Sequence, residues 1–308
     1  MNGIEDLVVQ PPHTVTYRVH IDRTMWVGGV RGLMLQALHP LAMRGVWQNS
    51  TFQQDPFGRL RRTADFVGRV TFGSPGEAAE AGRRVRAIHK ALRVQDPDTG
   101  RRHRVDDPEL LLWVHCAEVS SYLEAARRGG LGLSERQADR YLAEQRAAAA
   151  YVGLHPEDVP GSCAELDAYL KQVRPALRVT EEAAATVRFL MWPRLPEELR
   201  MLSPGKPVYF PFGALCYYTL PDWARRMYGV LPEVPRAAVT AALRAFRLAM
   251  NSVPEPVHDR AFMPATREML QATRERLGAA GYDVSKGLKG LTDPRRWPKG
   301  AAGSTPAA

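Results

Sequence analysis

Cysteine and lysine are scarce in this chain, and no long apolar run occurs. The three cysteines, Cys116, Cys163 and Cys216, lie far apart. They are too few and too scattered for a disulfide framework, and none forms a CxxC metal pair. Cys116 and Cys216 stand in apolar stretches and read as buried small hydrophobes. Every apolar stretch is broken by Arg, His or Pro well short of the ~20 residues that span a bilayer. The first 13 residues carry Glu5 and Asp6 and lack the basic-then-apolar order of a signal peptide. A cytoplasmic protein is therefore expected, with peripheral membrane contact left open. A phosphate loop, a dinucleotide fingerprint and an HExxH motif are also missing, which removes the usual signatures of several cofactor classes.

What is abundant is arginine. The chain has 36 arginines against six lysines, 42 basic against 33 acidic residues, and a formal charge of +9. The arginines fall singly or in pairs, such as Arg61-Arg62, Arg83-Arg84 and Arg127-Arg128. No block of like charge forms, and no stacking aromatics interleave them as in a nucleic-acid groove. Solvated helix faces are the simpler reading, and nucleic acid is not expected as a partner. A nucleic-acid-associated protein would rest on net charge alone, and its affinity would fall steeply with salt. With 308 residues, 45% hydrophobic and 24% charged, the chain is long and apolar enough for one large core.

Helix signals recur throughout. Residues 24–46 place Val27, Val30, Met34, Leu38 and Leu41 on one face, with Pro40 set to kink or divide the helix. Asp55-Pro56 opens a second helix and Gly73 stops it. Ser74 and Glu77 form a capping box for a third, reaching Leu92. Residues 95–100 carry turn chemistry. Asp107-Pro108 starts a helix closed by Gly129-Gly130. Further helices are predicted over 134–152, 162–173 (with a capping box at Ser162 and Glu165), 180–190, 221–229, 235–250 and 264–277. Strand signals are confined to Val15-Tyr17-Val19 and Val208-Tyr209-Phe210, too little for a sheet. The expected architecture is all-α: an N-terminal arm over 1–23, one multi-helix domain over 24–297, and a disordered tail over 298–308. The only alternative boundary is near 153–160.

Of the eight histidines, His39, His89 and His115 fall within predicted amphipathic helices, where an imidazole needs explaining. His39 precedes Pro40, so its ring could satisfy backbone carbonyls freed at a bend. His89 adjoins the stripe of Val85, Ile88 and Leu92, and His115 lies in an even more apolar setting. For each, a hydrogen-bonded core histidine is the more common case and a ligand the sharper one. His13, His20, His103, His155 and His258 fall in loops or at helix edges and are expected in solvent. Arg59 and Thr63 stand one turn apart and share a face with Arg62. They read as a solvated strip, or as a guanidinium and hydroxyl able to hold a carboxylate or an oxygen species.

The order of these elements is more specific than any one of them. Leu35-Gln36-Ala37-Leu38-His39-Pro40 is followed by Phe52 through Asp55-Pro56-Phe57-Gly58-Arg59, then Thr63, Val70-Thr71-Phe72-Gly73 and Ile88-His89. Asp98-Thr99-Gly100 and Asp107-Pro108-Glu109-Leu110-Leu111-Leu112-Trp113-Val114-His115 complete the series. The set resembles the family that includes the bacterial latex-clearing protein and the mycophenolate-pathway oxygenase. The likeness covers residues 27–160 well and then weakens, with Leu220 to Arg225 and Tyr228-Gly229 similar to later helices.

The resemblance implies an all-α fold with a buried, haem-sized pocket between helices and a bound haem b. It implies His89 as the iron ligand, with Arg59, Thr63 and Arg62 as catalytic-pocket residues. His39 and His115 become alternative ligands or supporting cofactor contacts. The implied chemistry is a haem-dependent oxygenase acting with dioxygen on a small apolar substrate, often by oxidative cleavage of a carbon–carbon double bond in an isoprenoid chain. Arg62 stands where the latex-clearing branch has a lysine able to approach iron, and a guanidinium cannot replace it. Val94 stands in place of an expected glycine, and His103 in place of an expected tyrosine. These three departures motivate the alternative of a non-catalytic helical binder of haem or lipid.

Overall fold

A computed structural model describes residues 4–50, 56–192, 205–262 and 266–299. The described chain is all-α, with fifteen helices and one two-stranded hairpin. The helices are α1 (Val15–His20), α2 (Met25–Gln36), α3 (Pro40–Asn49), α4 (Pro56–Phe72), α5 (Pro75–Ala91), α6 (Pro108–Arg128), α7 (Glu135–Ala150) and α8 (Cys163–Val173). They continue with α9 (Glu181–Met191), α10 (Gly205–Tyr218), α11 (Asp222–Tyr228), α12 (Arg236–Asn251), α13 (Glu255–Phe262), α14 (Arg267–Ala279) and α15 (Gly287–Gly290).

Local chemistry sets most of these starts. The Ser74–Glu77 capping box is complete on α5, as is one between Ser134 and Gln137 on α7. Asp107 caps α6 and Thr180 caps α9. At α8 only half of the expected box forms. The Ser162 hydroxyl accepts from the Glu165 amide, while the Glu165 carboxylate takes the Gly161 amide and the Arg146 guanidinium instead. Pro40 divides the first predicted helix: α2 ends at Gln36, and α3 begins at the proline.

Both runs with strand character are helical. Val15–His20 is α1, because the Thr14 hydroxyl caps the Tyr17 amide and tertiary packing overrides β-propensity. Residues 208–210 lie within α10. The actual strands, β1 (Arg93–Gln95) and β2 (Arg102–Arg104), flank the predicted turn and pair antiparallel. In that ladder Val94 faces His103. The two departures from the family pattern are thus cross-strand partners, one larger and one smaller than expected, which reads as a size exchange across a single pair. The Asp55 cap, the tail from 300 onward and the predicted helix start at Pro264 lie outside the described residues.

Helix α6 is the axis of the fold. One side joins α2, α9, α10 and α11 around Val27, Met34, Trp113, Val187 and Tyr217. The other joins α1, α7 and α8 around Val19, Cys116, Tyr141, Leu142 and Leu166. Cys116 and Cys216 are both in the core, as their sequence settings predict, and burial holds the Cys116 thiol up at about 12. The segment before α2 is packed in as well: Tyr17 is fully buried and donates to the Leu288 carbonyl at 2.7 Å.

The α2–α6 contact is close because Gly28 allows it. A Cβ at Gly28 would stand 3.0 Å from Tyr122 Cδ1 and 3.1 Å from the Ser121 carbonyl oxygen. Polar bonds hold the pair in register. Trp113 Nε1 donates to Gln36 O at 3.0 Å and Gln36 Nε2 donates to Val114 O at 3.1 Å. Arg31 lies buried between them and donates to Ser121 Oγ and Thr219 O. Gly28→Ala should lower the unfolding free energy by about 1–3 kcal/mol through overpacking. Gly29→Ala, whose Cβ meets nothing nearer than 4.0 Å, should be neutral or stabilising, since glycine in a helix costs roughly 0.5–1 kcal/mol relative to alanine. Urea midpoints at constant slope measure both.

Candidate functional site

A narrow cleft opens between the α4–α5 hairpin and the wall made by α1, α6 and α7. Counted out to its mouth it holds about 560 Å³, but only about 80 Å³ is wide enough to seat the centre of a water molecule. Its sides are mostly apolar, with Phe66, Val67 and Val70 from α4 facing Leu111, Val114 and Val119 from α6. His89 comes from α5, and His115, Glu118 and Tyr122 come from one face of α6 at spacings of three and four residues. His20 of α1 also lines it.

Two of the three histidines singled out in the sequence therefore meet in one cleft. His89 Nδ1 and His115 Nε2 are buried and have no hydrogen-bond partner among the described residues. Burial lowers the pKa of His89, assisted by the Arg59 charge, and burial alone takes His115 down to about 4. Both imidazoles are neutral near pH 7, the form that ligates metal. His39 lies elsewhere. It caps α3, its Nδ1 accepting from the Ala42 amide at 3.4 Å, and it lines a second, more open cleft with Arg44, Asp96, His103 and Arg178. The sequence reading of a ring serving the bend at Pro40 agrees with this, although the group served is an amide and not a carbonyl.

Arg59, Thr63 and Arg62 are not among the residues lining the cleft. The Thr63 hydroxyl donates back to the Arg59 carbonyl at 3.2 Å, and Arg62 is exposed. Arg59 is largely buried and close enough to act on His89, yet no carboxylate pairs with it among the described residues. Its pKa is lowered, chiefly by burial and then by Arg62.

Two histidines expected in solvent are inside. His20 has Nδ1 2.9 Å from Thr71 Oγ1 and Nε2 3.1 Å from the Tyr141 hydroxyl, and its ring meets Tyr122 edge-on. His258 is 4% exposed, and the Trp26 indole donates to its Nε2 at 3.0 Å. Its Nδ1 lies 2.6 Å from an Arg23 nitrogen and 3.2 Å from the Asp259 carboxylate. Sequence gave no local sign of either, because the partners come from distant segments.

The described residues gather no set of three or more His, Cys, Asp or Glu able to hold a bare metal ion. A planar cofactor that brings its own iron needs only one protein ligand. Fold and site together define an all-α protein with a narrow, largely apolar cleft lined by His20, His89 and His115. Residues 17–255 match the family described as ER-bound oxygenase mpaB/B'/Rubber oxygenase, catalytic domain, and the chain belongs to that family. The resemblance seen in the ordered motifs is thereby borne out. Compared with curated proteins and with solved structures, the chain has no significant match. No helix among the described residues is long and apolar enough to cross a membrane.

Burial takes His20 from its ordinary 6.5 to about 3. Between those values the unfolded chain binds a proton that the folded protein refuses, so stability falls as the pH drops from 6.5 toward 3. Replacing His20 by Gln should flatten this slope. Denaturant titrations at pH 7.5, 6 and 5 test it, and an unchanged slope would contradict the neutral, buried imidazole.

Proposed function

We propose that the protein is a haem b-dependent oxygenase that uses dioxygen on an apolar substrate of isoprenoid type, cleaving a carbon–carbon double bond. The oxygenase family supports the reaction class. The observation that carries the haem is the pair of partnerless imidazole nitrogens, His89 Nδ1 and His115 Nε2, in one narrow apolar cleft. The residues fit the group. Neutral imidazole nitrogens without partners among the described residues can hold iron, apolar walls suit a porphyrin, and Arg59 can face a propionate.

When bound, haem would supply dioxygen binding and one-electron chemistry. His89 would hold the iron, and His115 is the alternative ligand. Val67, Val70, Leu111 and Val119 would exclude water. Arg59, lacking a carboxylate of its own among the described residues, would orient the anionic edge. The departures that favour an idle binder stand outside the cleft: Val94 and His103 pair in the hairpin, and Arg62 is exposed.

Titration with hemin followed by a pyridine haemochrome assay should give one haem per chain and a Soret band. His89→Ala should lose or shift that band, whereas His155→Ala, on an exposed loop, should keep it. His258 cannot serve as the surface control, because it is buried. Arg59→Gln should weaken haem retention by roughly ten- to a hundredfold, the loss expected for one charge-assisted bond. A wild-type protein that stays colourless after hemin treatment defeats the reading. Oxygen uptake with candidate isoprenoids then separates an enzyme from a binder.

A further inference from the structure

The sequence has no run of like charge, yet the fold gathers one. Residues 83–104 hold eight basic residues against two acidic ones, a net +6 within a chain whose whole charge is +9. Both acids, Asp96 and Asp98, are taken by Arg44 and Arg178, which lie outside this stretch. Seven of the eight cations are exposed, and only Arg86 is half-buried. Of the exposed seven, only Arg83 and Arg104 form ion pairs with described residues, Glu80 and Asp106. Over the last turns of α5, Arg83, Arg84, Ala87, Ile88, Lys90 and Ala91 make one continuous outer arc, opposite the buried Ala78 and Gly82. Ile88 is 48% exposed there. The hairpin continues this surface. Arg93 is the cross-strand partner of Arg104, and Gln95 of Arg102, so these four share one face, away from the buried Val94. Arg93 Nη1 donates to the carbonyls of Lys90 and Leu92 at 2.8 Å each, which joins the hairpin face to the end of α5. Two arginines directly opposite one another repel. The one carboxylate that acts with both is Asp106.

We propose that this surface, the outer arc of α5 with the outer face of the β1–β2 hairpin, docks the protein on an anionic phospholipid bilayer. Its cations are drawn to the lipid phosphates, each contributing about fivefold to partitioning. Guanidinium forks also match phosphate oxygens in geometry. Ile88, with Ala87 and Ala91 beside it, supplies apolar area that enters the headgroup boundary. A soluble polyanion would use the charge and leave Ile88 in water. A nucleic acid would in addition want stacking aromatics, and neither the arc nor the hairpin face has one. The proposal goes beyond the oxygenase reading and does not depend on haem. Its bearing on that reading is positional. His89 follows Ile88 on α5 and lines the cleft, so docking would hold that wall close to the layer in which apolar molecules dissolve.

The test is co-sedimentation of the purified protein with vesicles of phosphatidylcholine alone, or of phosphatidylcholine with about 30% phosphatidylglycerol, at about 0.1 M and about 0.5 M salt. Binding should require phosphatidylglycerol and should fall by about tenfold or more at the higher salt. Arg84→Gln, Lys90→Gln and Arg102→Gln together should weaken it by about a hundredfold. The same loss of charge from exposed positions elsewhere, Arg136→Gln with Arg226→Gln and Arg244→Gln, should leave it within about twofold. Ile88→Ser should weaken binding by about tenfold and leave its salt dependence in place. Circular dichroism confirms the fold of each variant, and a DNA duplex and polyglutamate serve as soluble polyanions. Sedimentation with neither kind of vesicle or equally with both overturns the proposal. So does equal weakening by the two triple variants, undiminished binding of Ile88→Ser, or tighter binding of either soluble polyanion. Vesicle binding by a protein that takes up no hemin would defeat only the haem reading. Hemin uptake without vesicle binding would defeat only this one.

Discussion

The contact between α2 and α6 governs where everything else can stand. Gly28 lets the two backbones approach, and the Gln36–Trp113 and Gln36–Val114 bonds lock their register. With one side of α6 held this way, the rotation of the helix is fixed, and His115, Glu118 and Tyr122 have no choice but to face the cleft. Tyr122 belongs to both arrangements, packing over Gly28 and lining the cleft. A change in the helix contact would therefore reach the site directly, through one side chain, without passing along a chain of intermediaries.

The opposing wall is held differently. The α4–α5 hairpin is anchored at its turn. Thr273 donates to the Phe72 carbonyl, and Glu77 at the start of α5 pairs with Arg276 of α14. Away from that turn, Phe66 and Val67 of α4 and His89 of α5 line the cleft opposite α6. One wall belongs to the central core and the other to a peripheral pair.

The fold was largely legible from the sequence because its helix boundaries are local. Capping serines, prolines at first positions and the turn at 95–100 announce themselves within a few residues, and α5, α6 and the hairpin turn fall where these signals predict. His89 and His115 were legible for a related reason: an imidazole on an apolar helical face lacks a local explanation. His20 and His258 were not. Their partners, Thr71 and Tyr141 for one and Trp26 and Arg23 for the other, lie tens to hundreds of residues away. Burial created by such long-range contacts leaves no mark in a window of ten residues.

The walls of the cleft leave several polar groups without hydrogen-bond partners among the described residues. His89 Nδ1 and His115 Nε2 are each buried and unbonded, and such groups typically cost about 1–3 kcal/mol apiece. Arg59 adds a half-buried cation with no carboxylate among the described residues. A protein of ordinary stability, about 5–15 kcal/mol, does not retain several such groups in one place without compensation. A ligand that engages an imidazole and neutralises the guanidinium would return that energy on binding, so occupancy and stability are coupled. This coupling singles out the cleft above the second, more open one around His39. There Arg44 and Arg178 have Asp96, Asp98 and Glu182 as ion-pair partners, so their charges are compensated within the protein even though Arg44 Nε makes no hydrogen bond among the described residues.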